Sequence, residues 1–135
     1  MALQFSTSYR NALLDQLETT AGTSAKMMIY TGAVEANCAA AASGTLLAQY
    51  NLASDWAANA ASGAKALSSL PLSVAASAAG TAAHFRLYAS DGTTCHMQGT
   101  VTATGGGGDL TVDNTNIANG QQVQITGFTL TAPGA

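Results

Sequence analysis

The chain has 135 residues, enough for one domain with a real hydrophobic core and too few for two ordinary ones. Hydrophobic residues make up 47% and charged residues only 8%, against roughly 25% in a typical soluble domain, which argues against an intrinsically disordered chain. The net charge is −3 and the four basic residues, Arg10, Lys26, Lys65 and Arg86, are scattered, a poor match to a phosphate backbone; no stretch reaches the apolar length of a membrane span.

The spacing of Tyr9, Leu13, Leu14, Leu17 and Ala21 predicts an amphipathic helix packed through that face. Ser6 or Ser8 is placed to cap it, Gly22 to end it in a left-handed conformation, and Phe5 to act as a staple. Arg10, Asp15 and Glu18 then fall on the outer face. Residues 1–24 form this N-terminal segment, and residues 25–135 the β domain, within a single structural domain overall. Met1–Phe5 carries neither the basic nor the long apolar region of a secretory signal.

Beyond Gly22 the pattern turns to short strands. Lys26–Thr31 and Thr45–Leu52 are read as strands, separated by an Ala-rich loop that carries Cys38. Asp55–Gly63 is ambiguous, with Trp56 expected to plug the core. Lys65–Val74 holds one or two short strands broken at Pro71, and Ser73–Ala83 is left as loop. His84–Ala89 alternates, with Phe85 and Leu87 on one face and His84, Arg86 and Tyr88 on the other. A three-residue loop, Ser90–Gly92, pairs Leu87 with Cys95 and Phe85 with Met97 and segregates the two faces, with Gly92 left-handed. Gly105–Gly108 is expected to be a mobile loop tip, Leu110–Val112 a short strand, and Gln121–Thr131 the last strand. In that last strand Val123 and Ile125 have the opposite parity to Phe128 and Leu130, so a bulge at Thr126-Gly127 is needed to bring all four inward. The resulting fold class is mainly β: an antiparallel sandwich or barrel-like domain with one N-terminal α-helix. The helix could cover an open end or reach a partner.

No catalytic constellation emerges. Cys95 and His96, as strand neighbours, point to opposite faces and cannot pair. His84 and His96 could share a face with Asp91 or Asp109, but Arg86 beside them disfavours a cation. Asp109 and Asp113 share a strand face but supply too few fixed oxygens for calcium. The glycine run lacks the following helix and the Lys-Ser/Thr pair of a phosphate loop. No catalytic, cofactor or metal site is therefore expected. Cys38 and Cys95 are read as two buried thiols rather than a disulfide.

Met1-Ala2-Leu3-Gln4-Phe5-Ser6 leads into Arg10-Asn11-Ala12-Leu13-Leu14-Asp15; Gly80-Thr81-Ala82-Ala83-His84-Phe85-Arg86-Leu87-Tyr88, Gly92-Thr93-Thr94-Cys95-His96 and the Gly120–Thr131 strand follow. Across most of its length the chain resembles small Ala/Gly/Thr-rich proteins encoded among the virion structural genes of tailed bacteriophages and prophages. The resemblance implies a virion component made in the host cytoplasm. Among such components a capsid cement, or decoration, protein is favoured, bound to the major capsid protein or other virion proteins and forming a homo-oligomer such as a trimer. The alternatives are a tail, collar or baseplate component, or a carbohydrate- or cell-surface-binding module. Leu3, Phe5, Tyr9, Arg86 and Tyr88 are the expected partner-binding residues, with Tyr88 facing outward.

Overall fold

A computed structural model describes residues 3–68 and 70–135. One helix, α1 (Thr7–Ala21), precedes ten strands: β1 (Lys26–Tyr30), β2 (Leu46–Asn51), β3 (Ala64–Ala66), β4 (Leu72–Ala75), β5 (Gly80–Thr81), β6 (His84–Tyr88), β7 (Cys95–Ala103), β8 (Leu110–Val112), β9 (Asn116–Ile117) and β10 (Gln122–Thr131). The main sheet runs β2-β1-β6-β7-β8-β10-β3, with β4 also paired to β10, while β5 and β9 form a separate ribbon. The chain is therefore mainly β with one helix near its N-terminus, as the alternating patterns predict.

The sheet is mixed rather than purely antiparallel, because β7 and β8 run parallel with Val101 opposite Leu110. Parallel neighbours ordinarily need a crossover of a dozen residues or more. Here six residues suffice because the glycine run folds back on itself. Gly106 donates to Ala103 C=O, and Gly108 donates to Thr102 Oγ1. A Cβ on Gly106 or Gly108 would come within 2.8 Å of Thr102, so these positions require glycine for close approach. The run is an exposed loop between the two strands, with Gly106 and Gly108 folded against Thr102 and Gly105 and Gly107 facing open space.

The core lies inside the curl of the sheet. Met27, Ile29, Leu47, Phe85, Leu87, Leu110, Val112, Val123, Ile125 and Phe128 are fully buried or nearly so, and Phe85 meets Phe128 edge to face at 5.4 Å. The bulge expected in the last strand is present: the β10–β8 register shifts between Ile125 and Gly127, bringing Phe128 and Leu130 to the same side as Val123 and Ile125. Trp56 is buried as expected, and Pro71 separates β3 from β4. The segment left as loop holds the end of β4 and all of β5.

The hairpin register differs from expectation. Leu87 faces Met97, Phe85 faces Gly99 and Arg86 faces Gln98, with an irregularity between Leu87 and Tyr88 that leaves His96 as the extra residue. The loop is closed by Ala89 N–H to Thr94 C=O, so four residues span it, although Gly92 has the expected positive φ of 71°. Packing decides this register. The Phe85 ring lies against Gly99, where a Cβ would come within 2.8 Å of it. A pairing that placed Met97 opposite Phe85 would lose that seat.

Candidate interaction site

The helix begins and ends where its sequence predicts. Ser6 is the N-cap and accepts from Tyr9 N–H, and Gly22 N–H closes the last turn onto Glu18 C=O. Gly22 has a φ of 89° but a ψ of −176°, so it leaves the helix through extended backbone rather than the left-handed helical well. Phe5 packs on Tyr9 with ring centroids 4.9 Å apart and donates its N–H to Gly134 C=O, tying the two chain ends together.

The face that docks takes only part of the apolar stripe: Ala21 joins the core and Leu17 packs against it. Arg10 and Ala21 are buried, whereas Tyr9 and Leu13 are exposed. Polar groups hold the helix down. Asn11 Oδ1 accepts from Gly63 N–H, Asp15 Oδ1 from Ala60 N–H and Glu18 Oε2 from Ala57 N–H. Thus a row along one helix face caps backbone donors at every third residue of the segment before β3. Those donors lie outside the main ladder and need acceptors once water is excluded. Arg10 donates Nε and Nη2 to Ala132 C=O. Lys65, its side chain 1% exposed, sits between Asp15 (2.8 Å) and Glu18 (3.3 Å). Hydrogen bonding to Lys65 lowers the pKa of Asp15, while for Lys65 the two carboxylates outweigh burial and raise its pKa. Periodicity could not reveal this docking, because it depends on donors about forty to fifty residues away.

The outward helix face carries Tyr9 and Leu13 among polar neighbours such as Ser8, Gln16 and Thr20. Among the described residues the exposed large hydrophobic side chains are Leu3 (72%), Tyr9 (50%) and Leu13 (41%), all in the N-terminal segment. Tyr9 and Leu13 are four apart and so adjacent on the helix surface. Phe5 is half-buried beside them.

Arg86 and Tyr88 occupy a different environment. Together with His84 they point away from the main core, but the loop between β1 and β2 covers them, leaving Arg86 2% and Tyr88 4% exposed. Their expected role as accessible contacts is corrected accordingly. The covering loop places the Glu35 carboxylate 3.1 Å from His84 Nε2 and 3.5 Å from Arg86 Nε. The Glu35 and His84 atoms are within ion-pair range without being aligned as a directed hydrogen bond. His84 Nδ1 contacts Gly32 C=O at 2.8 Å, and its ring stacks on Tyr30. Arg86 donates to Asn37 C=O, Ala40 C=O and Gln98 Oε1, while Gln98 donates to Glu35 C=O. Burial works against the charge on Glu35, but the Ser43 N–H and hydroxyl and neighbouring His84 outweigh it, and its pKa falls to about 2. A disulfide, Cys38–Cys95, joins the same loop to β7, which overturns the reading of two free thiols.

These residues brace the loop between β1 and β2 as a lid over β6. The buried histidine is committed to Gly32 and Glu35. Asp109 accepts from Thr100, and Asp113 caps Gln124 N–H. No group of His, Cys, Asp and Glu suited to a metal occurs among the described residues.

Neither known protein families, nor curated proteins, nor solved structures contain a match to this chain.

Proposed function

We propose that this chain is a virion structural protein, a capsid cement or decoration protein that docks on the major capsid protein lattice through its N-terminal segment. The observation carrying this reading is the confinement of the exposed large hydrophobics to Leu3, Tyr9 and Leu13, on a helix held to its own domain by polar contacts. Leu17 and Ala21 anchor the helix on the core, while Tyr9 and Leu13 stay exposed, and burial of such side chains drives association. Ala2, at the start of the proposed contact segment, lies outside the described residues. The resemblance of the sequence to virion proteins and the sparse surface charge support the same reading. The carbohydrate-binding alternative has less support, because Tyr30, Tyr50, Trp56 and Tyr88 are buried and, among the described residues, Tyr9 with half-buried Phe5 supplies the aromatic surface facing solvent.

The test is particle binding by the triple variant Leu3→Ser, Tyr9→Ser, Leu13→Ser. It should keep its thermal unfolding midpoint and lose retention on purified capsids. Retention equal to that of the parent chain rejects the helix face as the contact. The molar ratio to the major capsid protein in purified particles then separates cement, with a copy number comparable to the capsid protein, from a tail or collar part present in a handful of copies.

A further inference from the structure

The buried guanidinium under the lid is only partly satisfied. Arginine has N–H donors on Nε, Nη1 and Nη2. In Arg86 the Nε and Nη2 edge is spent on Gln98 Oε1, Asn37 C=O and Ala40 C=O, and the Glu35 carboxylate stands 3.5 Å from Nε. Nη1 has one hydrogen-bond partner among the described residues, Tyr88 Oη, at a long 3.4 Å. Tyr88 Oη in turn lies 3.2 Å from Tyr30 Oη, and Tyr30 Oη lies 3.3 Å from Met28 Sδ, a weak acceptor. Burial and the neighbouring Tyr88 raise the pKa of the Tyr30 phenol, so it remains a donor at neutral pH. If Nη1 donates to Tyr88, Tyr88 to Tyr30 and Tyr30 to the thioether, the second N–H of Nη1 is left without an acceptor. These three side chains line a cavity of about 410 Å³, walled by residues 38–42 of the lid and by Gly92 and Thr93 of the β6–β7 hairpin.

We propose that this cavity binds a small monocarboxylate, whose oxygens accept from Arg86 Nη1 and from the hydroxyls of Tyr30 and Tyr88. The surplus of buried donors calls for an acceptor, and a carboxylate on an arginine N–H makes the stronger, charge-assisted kind of bond. The charge balance selects a monoanion. Arg86 is the one cation in the lining, the lining has no carboxylate of its own, and Glu35 already draws on Nε, so a second negative charge would go uncompensated. The hairpin wall is not hostile to an anion. A Cβ on Gly92 would lie 3.8 Å from Lys26 Nζ, and Asp91 on the same loop spends its oxygens on Thr93 and Thr94. Ala39–Ala42 present methyl groups and backbone, which suits a short apolar body behind the carboxylate. The Cys38–Cys95 disulfide ties that wall to β7. The site stands apart from the helix face and does not depend on the capsid reading.

The experiment titrates the full chain with benzoate and follows its amide, tyrosine-ring and Arg86 Nε–H resonances. Benzamide serves as the uncharged comparison and inorganic phosphate as the more highly charged one. Benzoate should shift Tyr30, Arg86 and Tyr88 saturably, with a dissociation constant of about 1 mM or tighter, and both comparison ligands should bind about tenfold more weakly or worse. The double variant Tyr30→Phe, Tyr88→Phe removes two donors and keeps both rings. Ala41→Glu places a competing carboxylate on the exposed lid wall. Benzoate affinity should drop about tenfold or more in each. Should the double variant be unfolded, Ala41→Glu alone provides the reading. The proposal is overturned if benzoate gives no saturable shift up to about 20 mM, or if benzamide or phosphate binds as tightly. It is equally overturned if either folded variant binds benzoate like the parent, or if the shifts map instead to the cavity beside Tyr50 and Trp56.

Discussion

Lys65 Nζ lies 2.8 Å from Asp15 Oδ1, with the lysine side chain 1% exposed and the aspartate 43% exposed. A buried ammonium is thus neutralised by a carboxylate that remains partly in water, and the helix is held over β3 by that contact. Asp15→Ala should lower unfolding stability by roughly 1–2 kcal/mol, since it removes one charge-assisted bond and the acceptor of Ala60 N–H. In a double-mutant cycle with Lys65→Met, urea denaturation should show the pair to be non-additive by about 1 kcal/mol. Strict additivity would mean that the contact does not hold the helix.

Gly63 lies beneath Arg10. Its φ is 75°, and a Cβ there would meet the Arg10 guanidinium at 2.4 Å. With Ser62, also at positive φ, it forms a two-residue turn closed by reciprocal Ala61–Ala64 hydrogen bonds. Gly63→Ala should therefore cost about 1–3 kcal/mol through backbone strain and displacement of Arg10. The neighbouring Ser62→Gly should be neutral or stabilising. Thermal unfolding of both variants checks this, and equal midpoints for Gly63→Ala and the parent would contradict it.

The lid has an acid limit. Glu35 has its pKa lowered from 4.5 to about 2 in the folded chain, so the unfolded chain takes up this proton first as pH falls. Its contribution is fully present above about pH 4.5, declines below that, and is lost as pH passes through about 2. Stability measured across this window should fall more steeply for the parent than for Glu35→Gln. At neutral pH Glu35→Ala should cost roughly 3–5 kcal/mol, because Arg86 is left buried without its counter-charge. Parallel acid profiles for parent and Glu35→Gln would refute the assignment.

The disulfide spans a sequence separation of 57 residues. Chain-entropy arguments give a loop of that size a stabilisation of about 4 kcal/mol. Cys38→Ser with Cys95→Ser should lose up to that amount. Hydrogen exchange should rise first in residues 32–44, ahead of the main sheet. Acceleration no greater in residues 32–44 than in the main sheet would show that the bond adds nothing to the lid beyond its effect on the unfolded chain.

The sequence made local features legible and long-range ones obscure. The Ser6 cap, the break at Pro71 and the bulge at Thr126 follow from neighbouring residues, and each is found in place. The docking face of the helix followed only at Leu17 and Ala21; the rest did not, because Asn11, Asp15 and Glu18 answer donors supplied by Gly63, Ala60 and Ala57. The hairpin register failed for a related reason. Segregating polar from apolar residues requires a solvated outer face, whereas that face is a second interior, roofed by the Glu35 loop, where Met28, Tyr30 and Tyr88 pack beside His84 and Arg86. The pairing of Cys38 with Cys95 belongs to the same roof. Of the expected contact residues, Leu3 and Tyr9 are accessible and Phe5 partly so, while Arg86 and Tyr88 serve the lid.

Burial also redistributes charge. Arg10, Lys65 and Arg86 are interior, leaving half-exposed Lys26 as the cation nearest solvent, while Asp55, Asp91, Asp109 and Asp113 are exposed. The exterior therefore carries the whole formal charge of −3, as four exposed aspartates against Lys26, while Arg10, Lys65 and Arg86 are balanced in number by Asp15, Glu18 and Glu35. Copies crowded side by side repel through these aspartates at low ionic strength, and physiological salt confines that repulsion to about 8 Å. Close spacing of the molecules becomes a property of the surrounding electrolyte as much as of the polypeptide.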